Sequence, residues 1–286
     1  MCVKIFSNII DRSREPVKYF AMEIDADSIP QVVVRDFGEV VRVETSSSAP
    51  SVIIVCEHAS NRIPAHLNAL GVTDEVLQSH VAWDPGALGV AQALLRRMPG
   101  VLVAGGVSRL VYDCNRPPDA HSAVPMKSEI YAIPGNAGLD VGARTDRVES
   151  VYRPFSRALS KQIETFSGSL AAMVTVHSFT PVFHGEARSV ELGLLHGRDD
   201  RLALDMLAQR PDPAPYSIRL NEPYAASDGV AHTLDRQGVA NALPNVMLEI
   251  RNDLIREPAE QEEMASFLAP WIDASVVNLA HSKGSA

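Results

Sequence analysis

The stretch Ser51-Val-Ile-Ile-Val-Cys-Glu-His-Ala-Ser-Asn-Arg-Ile-Pro64 decides how this chain is read. Residues 52–55 are a β-branched apolar run without alternation, the pattern of a strand buried on both faces of a parallel sheet. The run stops abruptly in Glu57, His58, Ser60, Asn61 and Arg62. Ligands of open α/β sheets sit beyond the carboxyl ends of such strands. The stretch therefore sets a Glu-His pair where an α/β protein keeps its chemistry.

Working outward, strands and helices alternate. Asp84-Pro-Gly is a turn that leads into an Ala/Leu-rich helix over 87–98. A strand over 101–107 follows and ends in Ser108-Arg-Leu-Val-Tyr-Asp-Cys-Asn-Arg-Pro-Pro, so a βαβ unit is read between His58 and Arg109. Residues 117–147 are rich in Pro, Gly and Ala and read as a long loop with a short helix near its end; such loops are usually functional or disordered. An amphipathic helix is predicted over 146–166, with Val151, Phe155, Leu159 and Ile163 on one stripe. Further strands are expected over 170–176, 188–195, 217–220 and 245–254, and helices over 199–207 and 257–279. This order predicts a three-layer α/β/α sandwich with a mostly parallel mixed sheet. Gln31-Val-Val-Val and Glu39-Val-Val-Arg-Val look like short strands of a leader that carries no chemistry. Residues 1–48 are expected to form an N-terminal arm or edge hairpin, and residues 49–286 a single α/β domain.

Composition narrows the class. Apolar residues make up 46% of the 286 and charged residues 21%, as in an ordinary soluble globular protein. The net charge is −9 and no Lys/Arg-rich run occurs, which argues against nucleic acid or an anionic membrane as partner. No stretch approaches the roughly 18 apolar residues of a membrane span. Cys2, Cys56 and Cys114 show no CxxC spacing, which speaks against a disulfide framework or a thiolate zinc site and for a reducing, cytoplasmic location. P-loop, GxGxxG and GxSxG patterns are missing. No oligomeric state follows from the sequence.

Polar groups gather at His58, at Arg109 and at His177, and a fourth strand carries Glu249. A catalytic zinc ion ordinarily takes three protein ligands, of His and carboxylate type, and keeps one open position. His58, His177 and one carboxylate satisfy this, with Asp84 the first choice and Glu57 the second. Glu249 is then free as general base. Blander readings stand beside each. A lone strand-end histidine is ordinarily a hydrogen-bonded structural residue, Asp84 before Pro-Gly can close a turn, and Glu249 can pair with Arg251, which shares its face by alternation. Arg109, Asp113, Asn115 and Arg116 either hold an acidic substrate through bidentate arginine or organise their own loop through an Arg109–Asp113 ion pair. His80, His121, His184, His196 and His232 have weaker contexts.

Five motifs in order resemble the N-formylglutamate amidohydrolase family: Cys56-Glu-His-Ala-Ser-Asn-Arg-Ile-Pro, Trp83-Asp-Pro-Gly-Ala, Ser108-Arg-Leu-Val-Tyr-Asp-Cys-Asn-Arg-Pro, His177-Ser-Phe-Thr-Pro and Leu248-Glu-Ile-Arg-Asn-Asp-Leu. The resemblance covers about residues 50 to 272. It implies a phosphorylase/hydrolase-like fold akin to zinc-dependent exopeptidases. It also implies hydrolysis of a linear amide, the namesake reaction converting N-formylglutamate to glutamate and formate in histidine degradation. Carried over, His58, Asp84 and His177 resemble metal ligands, with zinc the implied ion, and Glu249 the catalytic glutamate. Arg109, Asn115, Arg116 and Arg251 are the residues expected to meet a small acidic N-acyl amino acid. Exopeptidases of this kind carry His-x-x-Glu, whereas here the fourth position is Asn61, so that pattern does not supply the third ligand. A deacylase of another N-acyl amino acid or peptide, and a non-catalytic binder of an acidic small molecule, are the alternatives.

Overall fold

The structure, a computed structural model, describes residues 36–283. The strand expected at Gln31-Val-Val-Val lies outside the described residues. Seven strands form the main sheet: β1 (Val41–Thr45), β2 (Val52–Cys56), β3 (Gly100–Gly105), β6 (Ala172–Phe179), β9 (Leu192–Leu195), β10 (Ile218–Leu220) and β11 (Asn245–Arg251). Two short hairpins stand apart from it, β4 (Lys127–Ser128) with β5 (Tyr131–Ala132), and β7 (Val182–Phe183) with β8 (Glu186–Ala187). The helices are α1 (Asp74–Gln78), α2 (Ala87–Arg97), α3 (Val141–Arg147), α4 (Arg153–Thr165), α5 (Arg201–Ala208) and α6 (Pro258–Lys283).

The sheet order is β1-β3-β2-β6-β11-β9-β10. β3, β2, β6 and β11 run parallel, β10 runs parallel to β9, and antiparallel pairings join β1 to β3 and β9 to β11. The mostly parallel mixed sheet is thus as predicted. Residues 41–45, part of the expected leader hairpin, pair at the sheet edge as β1.

Both faces of the sheet are apolar, and β2 shows why. Val52, Ile54 and Cys56 point into one core, shared with Leu94 of α2, Met206 of α5 and Leu268 of α6. Ile53 and Val55 point into the other, shared with Phe155, Leu159 and Ile163 of α4. Each fully buried side chain of this kind contributes about 1.5–3 kcal/mol, so an uninterrupted apolar run is what two covered faces require.

The helix expected over 146–166 begins earlier, at Val141, because Asp140 caps it by accepting from Ala143 N at 2.7 Å. A π-helical turn, Val148–Tyr152, joins α3 to α4. The preceding segment is ordered by side chains instead of periodic apolar contacts. Asn136 Nδ2 donates to Leu110 O (2.8 Å) and Pro125 O (2.7 Å), and buried Arg147 donates to Asn136 Oδ1 (2.6 Å) and Val111 O (3.1 Å). Among the described residues no helix is long and apolar enough to cross a membrane.

Candidate metal centre

β3 lies on one side of β2 and β6 on the other, so the order of the parallel strands reverses at β2. Strand order that reverses in this way opens a crevice beyond the carboxyl ends. His58 follows β2, His177 lies in β6, and Glu249 of β11 is the in-register partner of His177. Asp84 arrives from the turn before α2, where its N–H donates to His58 O at 2.9 Å. Gly86 makes that turn possible. Its φ is +82°, and a Cβ there would meet Ile255 O at 2.2 Å.

Asp84 Oδ2 is the meeting point, 3.3 Å from His58 Nδ1 and 2.9 Å from His177 Nδ1. Two donors each about 2.1 Å from one tetrahedral cation lie about 3.4 Å apart, so this spacing fits a shared ion, slightly contracted. The other nitrogen of each ring faces a further carboxylate. His58 Nε2 stands 2.7 Å from Asp113 Oδ1, and His177 Nε2 stands 3.2 Å from Glu57 Oε2. Metal-binding imidazoles ordinarily have such a partner, which fixes the tautomer and presents the free nitrogen to the ion. The His177–Glu57 contact is within ion-pair distance but poorly aligned, leaving His177 Nε2 and both Glu57 oxygens buried without a well-formed hydrogen bond. Arg109 reaches both aspartates, with Nη1 3.3 Å from Asp84 Oδ1 and Nη2 2.8 Å from Asp113 Oδ2.

The charge balance points the same way. Glu57, Asp84, Asp113 and Glu249 are four buried carboxyls, and Arg109 is the guanidinium that contacts this group. Buried charge is costly without compensation. Burial works against ionisation of Asp84, but His58 and His177 hold its carboxyl well below the usual carboxylate range. Burial likewise opposes charge on Asp113, and His58 and Arg109 overcome it. Glu57 is lowered too, with His177 prevailing over burial. Burial pulls His177 down, yet Glu57 and Asp84 raise it well above the imidazole range. In His58 burial and Arg109 lower the pKa, and Asp113 and Asp84 lift it above the ordinary value. Protonated imidazoles or a divalent cation thus supply the missing positive charge. His58, Asp84 and His177 form a donor set fit for that cation. Glu249 differs from the other carboxyls: burial pushes it up to about 7, against the pull of His177.

His58, Asp84, Asp113 and His177 line a cavity of about 270 Å³. Arg109, Asn115, Arg116 and Glu249 also line it. Asn115 has both ends of its amide engaged, donating to Val230 O (2.6 Å) and accepting from Thr233 N (2.9 Å), so it braces the wall. Arg116 Nη1 donates along the chain, to Asn115 O at 3.0 Å. Arg251 is the expected substrate contact that the structure does not bring to the cavity. Its guanidinium pairs with Glu191 (3.2 Å) and Asp253 (2.7 Å), because the strand ends at this residue and acidic partners flank it. Glu57, the second choice for a ligand, stands behind His177 and outside the converging trio. Asn61 turns away and donates to Leu77 O at 2.9 Å, which explains why this position need not be glutamate. Sequence reasoning passed over Glu129 and Tyr224 and gave His80 little weight, yet all three line the cavity. Glu129 lies in the middle of residues 117–147, read from the sequence as a long loop. Tyr224 carried no signal, since it is placed by Arg188, which donates to its hydroxyl at 3.1 Å and lies 4.9 Å from its ring centre.

A covered α/β sheet thus carries a His-Asp-His donor set and, on the neighbouring strand, a buried glutamate. Residues 50–256 match the family described as N-formylglutamate amidohydrolase. The chain belongs to that family, and its membership makes it an amidohydrolase. A crystal structure of the Atu2144 gene product from Agrobacterium tumefaciens is 46% identical, with a TM-score of 0.81, covering 85% of this chain and 97% of that one. The N-formylglutamate amidohydrolase of Ralstonia eutropha JMP134 is 20% identical, with a TM-score of 0.55 over 85% of this chain and 97% of its own, and shares the fold. No curated protein matches the chain.

Proposed function

We propose that this protein is a metal-dependent hydrolase of the linear amide bond in a small acidic N-acyl amino acid, with N-formyl-L-glutamate the expected substrate and zinc the expected ion. The observation that carries the reading is the convergence of His58 Nδ1, His177 Nδ1 and Asp84 Oδ2 beside a buried, uncommitted Glu249.

His58, Asp84 and His177 would hold the ion, whose chemistry there would be to polarise the scissile carbonyl and to lower the pKa of water toward about 7. Asp113, hydrogen-bonded to His58 Nε2, holds that imidazole with Nδ1 turned inward, and Glu57 faces His177 Nε2 as its charge partner. Glu249, with a pKa pushed up to about 7, takes the proton of the attacking water and delivers it to the leaving nitrogen. Arg116 on the cavity wall binds the substrate carboxylate. Arg109 is held by two aspartates and orients them.

Metal analysis of the purified protein, with turnover of N-formyl-L-glutamate, tests the reading. His58→Ala and His177→Ala are expected to lose metal and at least about a hundredfold in kcat. If both variants keep full metal content and activity, the reading fails.

A further inference from the structure

The two walls of the cavity are joined at its rim. His80 lies in the turn after α1, and Glu129 lies in the turn of the β4–β5 hairpin; His80 Nε2 stands 2.6 Å from Glu129 Oε1. Both residues line the cavity. Their side chains are 28% and 23% exposed, against 3% for His58 and 4% for His177, so the pair lies at the mouth and the metal donors at the bottom. Glu129 holds a φ of +50°, a left-handed conformation that a glutamate seldom takes. Such strain persists only where the surroundings impose it. Ile133 N closes the hairpin on Met126 O at 2.9 Å, and its turn directs Glu129 to His80. Met126 at the base and Ile130 at the tip are both exposed, so apolar burial does not anchor the hairpin there.

We propose that the His80–Glu129 pair is a clasp that selects substrate by length. It ties the hairpin across the mouth of the cavity, so that one N-acyl amino acid fits and an acylated peptide does not. The cavity, at about 270 Å³, lies near the small end of ligand pockets, which run from roughly 300 to 1,000 Å³. The substrate half of this inference rests on the amide hydrolysis proposed above; the clasp itself does not.

The test has two arms, run on the full chain as wild type, Glu129→Gln and the double variant His80→Ala/Glu129→Ala. In the first, kcat/KM is measured for N-formyl-glutamate and for N-formyl-glutamyl-alanine. The wild type is expected to favour the single amino acid at least tenfold, and both variants to lose most of that preference through a lower KM for the dipeptide. A preference unchanged in the variants overturns length selection. In the second, hydrogen exchange is followed across the hairpin. Amides of residues 127–132 are expected to exchange at least tenfold faster in the variants, with β2 and β6 protected as in the wild type, which also shows that the variants fold. Exchange equal to that of the wild type overturns the clasp. If the wild type hydrolyses neither compound, the proposed activity falls, while the exchange arm still decides whether the clasp exists.

Discussion

Glu249 sits between Leu248 and Ile250, both fully buried, and its carboxyl is buried with them. Its ordinary pKa is 4.5, and burial lifts it to about 7. Between those values the folded chain binds more protons than the unfolded chain, so stability falls as pH rises through the window. Glu249→Gln removes this loss. The metal-free variant should show a flatter dependence from pH 4.5 to 7 and, above pH 7, exceed the wild type by on the order of 1–3 kcal/mol. Denaturant titrations at pH 5, 6, 7 and 8 measure it; parallel curves for the two proteins would contradict the buried, proton-binding carboxyl. The same substitution should lower kcat by about 10²–10⁴-fold if the group carries the proton. The sequence made Glu249 conspicuous because a charge inside an apolar strand needs a reason. It could not separate Glu249 from Arg251, which alternation puts on the same face. What separates them is Glu191, 60 residues earlier in the chain, and Asp253, both of which draw the guanidinium away.

At the scale of elements, the turn into α2 governs where Asp84 lies. Gly86→Ala puts a side chain on a residue at φ +82° and drives its Cβ toward Ile255 O, 2.2 Å away. Gly138 offers a control, since its φ is +68° and nothing lies within 4 Å of a Cβ there. Gly138→Ala should cost only the left-handed backbone term, about 1 kcal/mol. Gly86→Ala should cost more than about 2 kcal/mol and also weaken metal binding, because the turn moves with Asp84 on it. Denaturation midpoints and metal titration of the two variants check this, and equal midpoints would remove the close approach as a constraint. Asp84-Pro-Gly could be read as a turn because Pro and Gly have fixed backbone meaning. Residues 117–147 could not be read in detail. Their order comes from Asn136 and Arg147 bonded to distant carbonyls, and such bonds leave no period in the sequence. The hairpin that carries Glu129 stayed hidden for the same reason: its strands, β4 and β5, are two residues each.

Over the whole molecule, alternating apolar strands and amphipathic helices were enough to predict a covered, mostly parallel sheet, since two buried faces demand that pattern. Which strands lie side by side was not readable, and the site depends on it. His58 and Glu249 are 191 positions apart in the chain and are brought together by β6 pairing between β2 and β11. The same assembly gathers four carboxyls in one buried place, so the folded chain carries a charge burden that the unfolded chain does not. A cation bound only by the folded state must therefore stabilise the whole protein. At 100 times the dissociation constant, the gain is about 2.7 kcal/mol. For a chain of this size that is about 4–5 °C in Tm. Zinc added to chelator-treated wild type should produce this shift, and His58→Ala and His177→Ala should not respond. Glu249→Gln should respond like the wild type, because a base is not a ligand. Thermal unfolding of the four proteins with and without zinc reads all three expectations, and a Glu249→Gln variant that fails to respond would move Glu249 from proton carrier to metal ligand.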